Sequence, residues 1–266
     1  MWGCGDFGGG LLTRRTPLFG VVLISQFVGM ALALALALVR GETAPLPADL
    51  FWSVLGGVAG GIGITALYHG LAVGRMGVVA PITAVIAALI PVAAGILLEG
   101  LPTLLVLVGI ALAIVAVILV SRVADEQGGP SGLRFALIGG VGLGLFGVLI
   151  AGISDGHAFG PLALIRGTET LLITAMILLT RSAWRPERRL VPAIAAVGVL
   201  DMAGIGAFLL AIQMGSLAVA AVLSSLYPVT TVILAAAFLR ERVTMTHAIG
   251  IALAMVAVAC IAAGTT

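Results

Sequence analysis

The residues able to do chemistry in this sequence are few and stand far apart. Asp201 lies in a long apolar run with Gly198, Gly204 and Gly206 around it. There a carboxyl group would contact a substrate amine, carry a proton, or make a structural hydrogen bond to a neighbouring helix. Arg166 and Glu169 are three residues apart, hence neighbours on one helical face. They read as a mutually neutralising structural pair, with an anion contact by Arg166 as the sharper alternative. Asp6 sits among glycines near the beginning. Tyr68 and His69, with Thr65 one turn earlier, give one helix a polar edge, where a hydrogen-bonded structural histidine competes with a proton relay. Ser224, Ser225 and Tyr227 precede Pro228, and Thr83 follows Pro81 in a corresponding place. A proline ring removes one helix hydrogen bond, and nearby hydroxyls then satisfy the freed backbone or line a path. Pro81, Pro91 and Pro228 are the hinge candidates.

Other chemistries lack their residues. Cys4 and Cys260 lie in separate apolar stretches, with no metal-ligand spacing and no disulfide framework. No GxxxxGK[ST] run is present, and the GxGxxG at Gly142–Gly147 lies inside a hydrophobic stretch, where no strand precedes it. Those glycines, with Gly56, Gly57, Gly60, Gly61 and Gly63, predict close helix packing through small-residue faces. No cofactor, metal or nucleic acid is expected.

The elements that must position these residues follow from composition. Of 266 residues 61% are hydrophobic and 9% charged, with mean hydropathy +1.28. A soluble domain carries about 25% charged residues, so the outer surface here must face lipid. A spanning helix needs about 20 predominantly apolar residues. Runs meeting that test are Pro17–Val39, Leu50–Gly74, Met76–Leu98, Gly100–Ser121, Phe135–Ser154, Leu162–Thr180, Leu190–Gln213, Ser216–Leu239 and Val243–Gly264. Met1–Leu12 is apolar but about half a membrane long and ends at Arg14-Arg15, so it reads as the incomplete first of ten spans, a truncated start being favoured over a re-entrant half-helix.

The segment Arg122–Arg134 combines charge, Gly and Pro near the midpoint, as a connector does. On either side the chain resembles itself. Gly109–Ala113 (GIALA) recurs as Gly250–Ala254, and Ala72–Gly77 reappears with one deletion as Ala211–Gly215. Each half continues into a helix with an internal proline, Pro91 and Pro228. The expected domains are residues 1–124, a linker at 125–132, and residues 133–266. Five helices per repeat is odd, so the second copy inserts inverted, a common plan of secondary transporters with the site near the midplane.

All thirteen cations are arginines, and eleven fall in loops on one side of the ten-span map, with only Arg40 on the other beside Glu42, Asp49 and Glu99. By the positive-inside rule, loops 1–2, 3–4, 5–6, 7–8 and 9–10 are expected to be cytoplasmic and both chain ends outside.

In order along the chain, Trp2-Gly3-x-x-Asp6-Phe7, Gly74-Arg75-Met76-Gly77-Val78-Val79-Ala80-Pro81, Ser224–Thr230 and Leu239-Arg240-Glu241-Arg242 resemble the EamA-type transporters of the drug/metabolite transporter superfamily. The resemblance implies an all-α membrane protein of ten helices in two inverted five-helix repeats, with a cavity lined by helices 1, 3, 4, 6, 8 and 9. Well-known members resemble an arrangement with both ends inside, where the arginine count here favours both outside.

The resulting expectation is a multi-pass protein of the cell membrane that moves a small metabolite or drug-like solute by alternating access. Its partners are that solute and the bilayer; homodimerisation is compatible with the sequence but not legible in it. The rival is an intramembrane enzyme such as a lipid-phosphate hydrolase, which would want several convergent Glu, Arg, His or Ser residues near one interface. Along the sequence the embedded charges look scattered singly over helices 1, 7 and 8. A scaffold or receptor subunit is a third class, disfavoured by the duplication and the embedded charges.

Overall fold

The computed structural model describes residues 1–99, 103–126, 132–154, 158–213, 227–240 and 244–264. Among them every regular element is helical. The helices are α1 (Trp2–Thr13), α2 (Leu18–Arg40), α3 (Pro47–Val73), α4 (Met76–Glu99), α5 (Leu104–Glu126), α6 (Leu133–Ile150), α7 (Phe159–Thr180), α8 (Val191–Gln213), α9 (Tyr227–Leu239) and α10 (Met245–Gly264). A lipid-embedded chain has no water for its N–H and C=O groups, so uninterrupted helix is the conformation that satisfies them all locally.

Five helical stretches among the described residues are long and apolar enough to cross a membrane: Leu18–Arg40, Pro47–Val73, Leu133–Ile150, Phe159–Thr180 and Arg188–Ala207. Met76–Pro91, Leu104–Ala116, Tyr227–Leu239 and Ala248–Gly264 are shorter apolar helices. The run expected to begin at Gly100 starts its helix at Leu104 and continues to Glu126, so Asp125 and Glu126, assigned to the linker by sequence, are helical. The upstream part of the run Ser216–Leu239, with Ser224 and Ser225, lies outside the described residues.

Large apolar side chains such as Phe27, Leu38, Leu104, Leu171, Leu178 and Phe238 point outward, as lipid requires, while Leu67, Tyr68, Leu71, Met76 and Ile82 form the centre. Packing is mostly between the two halves of the chain. The most extensive pairs are α5 on α10, α3 on α6, α4 on α6, α2 on α7 and α3 on α7, then α2 on α8 and α1 on α8; α1 and α4 both touch α9. The α3–α6 contact depends on two glycines meeting: a Cβ on Gly63 would lie 2.8 Å from the Leu143 nitrogen, and one on Gly142 would lie 2.7 Å from Gly63 Cα. Small residues let the backbones approach this closely.

Polar contacts tie the loops at each end of the bundle. At one end the Arg14 guanidinium donates to the carbonyls of Leu71 (3.0 and 3.2 Å) and Gly74 (2.9 Å). At the other, Glu42 accepts from the Phe159 and Gly160 amides at 2.9 and 2.8 Å, capping the positive end of the α7 dipole. Asp49 there accepts from Leu46 N (3.1 Å) and Ser154 N (2.9 Å).

Candidate functional site

Three helices bring four polar side chains to one point. Glu169 stands midway along α7 and Asp201 midway along α8, while Arg166 is one turn from Glu169 on the same face. From α2 comes Gln26, an amide in the middle of an otherwise apolar span. Arg166 Nη1 donates to Glu169 Oε2 at 2.9 Å and to Gln26 Oε1 at 3.0 Å, and its Nη2 donates to Asp201 Oδ2 at 2.6 Å. Gln26 Nε2 closes the ring by donating to Glu169 Oε2 at 2.7 Å. Gln26 and Glu169 are each 2% exposed and Arg166 4%, so this is a dry network, with Asp201 as its wetter member. Arg166 Nε, also buried, has no partner among the described residues.

The network forms one wall of a cavity of about 240 Å³. Trp2 and Asp6 of α1, Ile64 and Leu67 of α3, and Leu143 and Phe146 of α6 also line it. Ile205 of α8 and Tyr227 of α9 complete the lining described here. Asp6 is buried and lies eight residues before Arg14, about 12 Å of helix rise, which puts it deep within the bundle. Trp2 and Tyr227 meet edge to face, with ring centroids 6.3 Å apart at 79°. Gly60 makes room for the network, since a Cβ there would fall 2.5 Å from Glu169 Oε1.

The fold therefore corrects the reading of singly scattered charges: Asp6, Arg166, Glu169 and Asp201, from three helices, line one cavity. Arg166 and Glu169 do pair, but Arg166 is shared with Asp201, so the two do not form a self-contained neutral couple. The lining also departs from the expected set of helices. Among the described residues α7 contributes Arg166 and Glu169, and no α4 residue appears.

Other predicted residues lie elsewhere. The Tyr68 ring packs on α1, where a Cβ on Gly9 would meet it at 2.3 Å. His69 stacks edge-on against Phe135 of α6, centroids 4.3 Å apart. Thr83 Oγ1 donates to the Ala136 carbonyl at 3.2 Å, tying α4 to α6. Pro81 and Pro228 face each other across a small apolar gap with Ala84, Ile251 and Ala254, and Pro91 lies near Gly147. Gln26 is not among the residues expected from sequence, because an amide carries no charge to mark it, although a lone glutamine inside the apolar run Leu18–Arg40 is itself a signal. Among the described residues no group of three or more His, Cys, Asp or Glu could hold a metal ion.

Comparison with known proteins adds one match. Residues 130–263, just over half of the chain, fit the model of the EamA-like transporter family. No curated protein matches the chain.

Proposed function

This chain belongs to the EamA-like transporter family, and from that premise we propose that it carries a small solute across the cell membrane by alternating access about the Arg166 cavity. The observation carrying this reading is a charged, mid-depth cavity walled by helices from both halves of the chain. Ionisable residues inside a membrane cost about 2.5–3.5 kcal/mol each on insertion scales and mark substrate or ion pathways. Asp201 and Arg166 are the contact residues, Glu169 and Gln26 hold Arg166 in place, and Asp6 and Tyr227 face the solute. Ser224 and Ser225, outside the described residues, are proposed as further solute contacts on their nearness to Tyr227 in the sequence alone.

The domains proposed are residues 1–124 and 133–266, joined by 125–132, as inverted five-helix repeats making ten spans. What supports the duplication is the packing pattern. Exchanging each helix for the one five places along turns α3–α6 into α1–α8, α4–α6 into α1–α9 and α3–α7 into α2–α8, all of which occur. The same exchange leaves α2–α7, α4–α9 and α5–α10 unchanged. Site and hinge then both lie where the halves meet. The Pro81–Pro228 gap at α4–α9 is the proposed hinge, with Pro91 a second bend in α4. The arginine-rich loops are assigned to the cytoplasm. A lipid-phosphate hydrolase is disfavoured because the polar cluster is at mid-depth in a family of transporters.

The test is reconstitution into vesicles and uptake across a panel of small solutes. Saturable exchange of at least one solute is expected, with Asp201→Asn lowering it at least about tenfold at similar folded yield. Lipid-phosphate hydrolysis without any solute exchange would defeat the reading.

A further inference from the structure

The cavity holds three carboxyl groups, those of Asp6, Glu169 and Asp201, against the single guanidinium of Arg166. They are not equivalent. Glu169 is closed off by Arg166 and Gln26, and Asp201 takes the other guanidinium nitrogen. Asp6 is left over. It is 8% exposed, lines the cavity, and makes no hydrogen bond or ion pair among the described residues. The charged and titratable groups within its electrostatic reach are Asp201 from α8, Tyr68 from α3, Tyr227 from α9 and the Met1 amino group on its own segment. Arg166 already donates to three acceptors.

This arrangement discriminates between solutes by charge. An anion would enter beside surplus carboxyl groups, facing a guanidinium already engaged, and a neutral solute would leave Asp6 without a partner. A cation would meet Asp6 and Asp201 together. The second feature is aromatic. Trp2 and Tyr227 line the same cavity, and the Trp2 indole is seated over Gly204, where a Cβ would fall 2.7 Å from the ring. The electron-rich faces of such rings attract ammonium groups, most strongly away from water.

We propose that the cavity is a site for an organic monocation, an ammonium or guanidinium solute whose charge rests between Asp6, Asp201 and the Trp2 ring and whose apolar part lies on Phe146 and Ile205. The identification of this solute as cargo rests on the transport reading above; the site itself does not. The volume of about 240 Å³ suits a small cation with no more than a single ring.

The full chain, purified in detergent, would be titrated with benzyltrimethylammonium, its uncharged carbon isostere neopentylbenzene, phenylacetate and the zwitterion betaine. The cation should bind on the order of 30-fold more tightly than the isostere, the ratio that a desolvated cation–π contact supplies. Asp6→Asn should weaken cation binding at least about tenfold without changing that of the isostere, while Asp6→Glu and Trp2→Phe keep most of it and Trp2→Leu does not. Equal binding of cation and isostere to the unaltered chain, or tighter phenylacetate, overturns the proposal whether or not any variant folds. Vesicles that take up betaine or a neutral solute while purified protein ignores benzyltrimethylammonium defeat this inference and leave the transport reading standing. Cation binding with no solute exchange upholds the site and defeats the transport reading.

Discussion

Replacing Arg166 by leucine removes the donor to Glu169 Oε2, Gln26 Oε1 and Asp201 Oδ2 at once. Glu169, 2% exposed, would keep only the Gln26 amide. Breaking a buried pair from one side costs about 3–5 kcal/mol, because the charge left behind has neither partner nor water. In Glu169→Leu, Arg166 retains Asp201 at 2.6 Å and Gln26, so what is lost is the hydrogen bonds that Arg166 and Gln26 donate to the carboxylate, about 1.5–3 kcal/mol each. The double variant removes both buried charges together and leaves Asp201, whose side chain is 18% exposed and therefore open to water. It should be less destabilised than the sum of the single losses by about 2 kcal/mol or more, the scale of coupling seen within one salt-bridge network. Ordinary interhelical hydrogen bonds in membranes average about 0.6 kcal/mol and cannot supply that. Equilibrium unfolding in mixed detergent–SDS micelles, followed by far-UV circular dichroism, gives all four free energies. Coupling no larger than that hydrogen-bond average would refute an ion-pair network at Arg166 and, with it, the electrostatic account of the cavity.

Three further outcomes are expected. With Cys4 and Cys260 replaced by alanine, Arg40→Cys should react with an impermeant external thiol reagent in intact cells and Arg188→Cys should not; the reverse pattern would invert the topology. Gly63→Ala should lower the melting temperature, at a cost of about 1–3 kcal/mol, because its Cβ would press on the Leu143 and Gly142 backbone at 2.8–3.0 Å, whereas Gly206→Ala, whose Cβ would among the described residues meet only Phe159 at 3.7 Å, should be nearly neutral. Glu42→Gln should cost about 0.3–1 kcal/mol as the charge facing the α7 amide dipoles is lost, read as faster hydrogen exchange in the first turn of α7; unchanged exchange there would remove Glu42 as its cap.

How much of the site was legible depended on the kind of residue. Asp201, Arg166 and Glu169 stood out because a charge in a long apolar run is costly wherever its helix packs. Gln26 did not, since an amide carries no such penalty on its face; its importance comes from lying against Arg166 and Glu169, which are 140 and 143 positions away in the chain. His69 and Thr83 looked equally functional but turn to α6, because side-chain direction in a packed helix is set by its neighbours. Helix boundaries moved by a few residues where charge begins to dilute the apolar run, as at the end of α5.

From sequence alone, then, came the solvent and the secondary structure. Apolar runs long enough for lipid leave the backbone no alternative to helix, and those helices and the family match are both present. The tertiary structure decided which charges meet. Whether Asp6, Arg166 and Asp201 neutralise one another, or leave one carboxyl group over, depends on which faces of α1, α7 and α8 turn toward the same cavity, and no local periodicity encodes that choice.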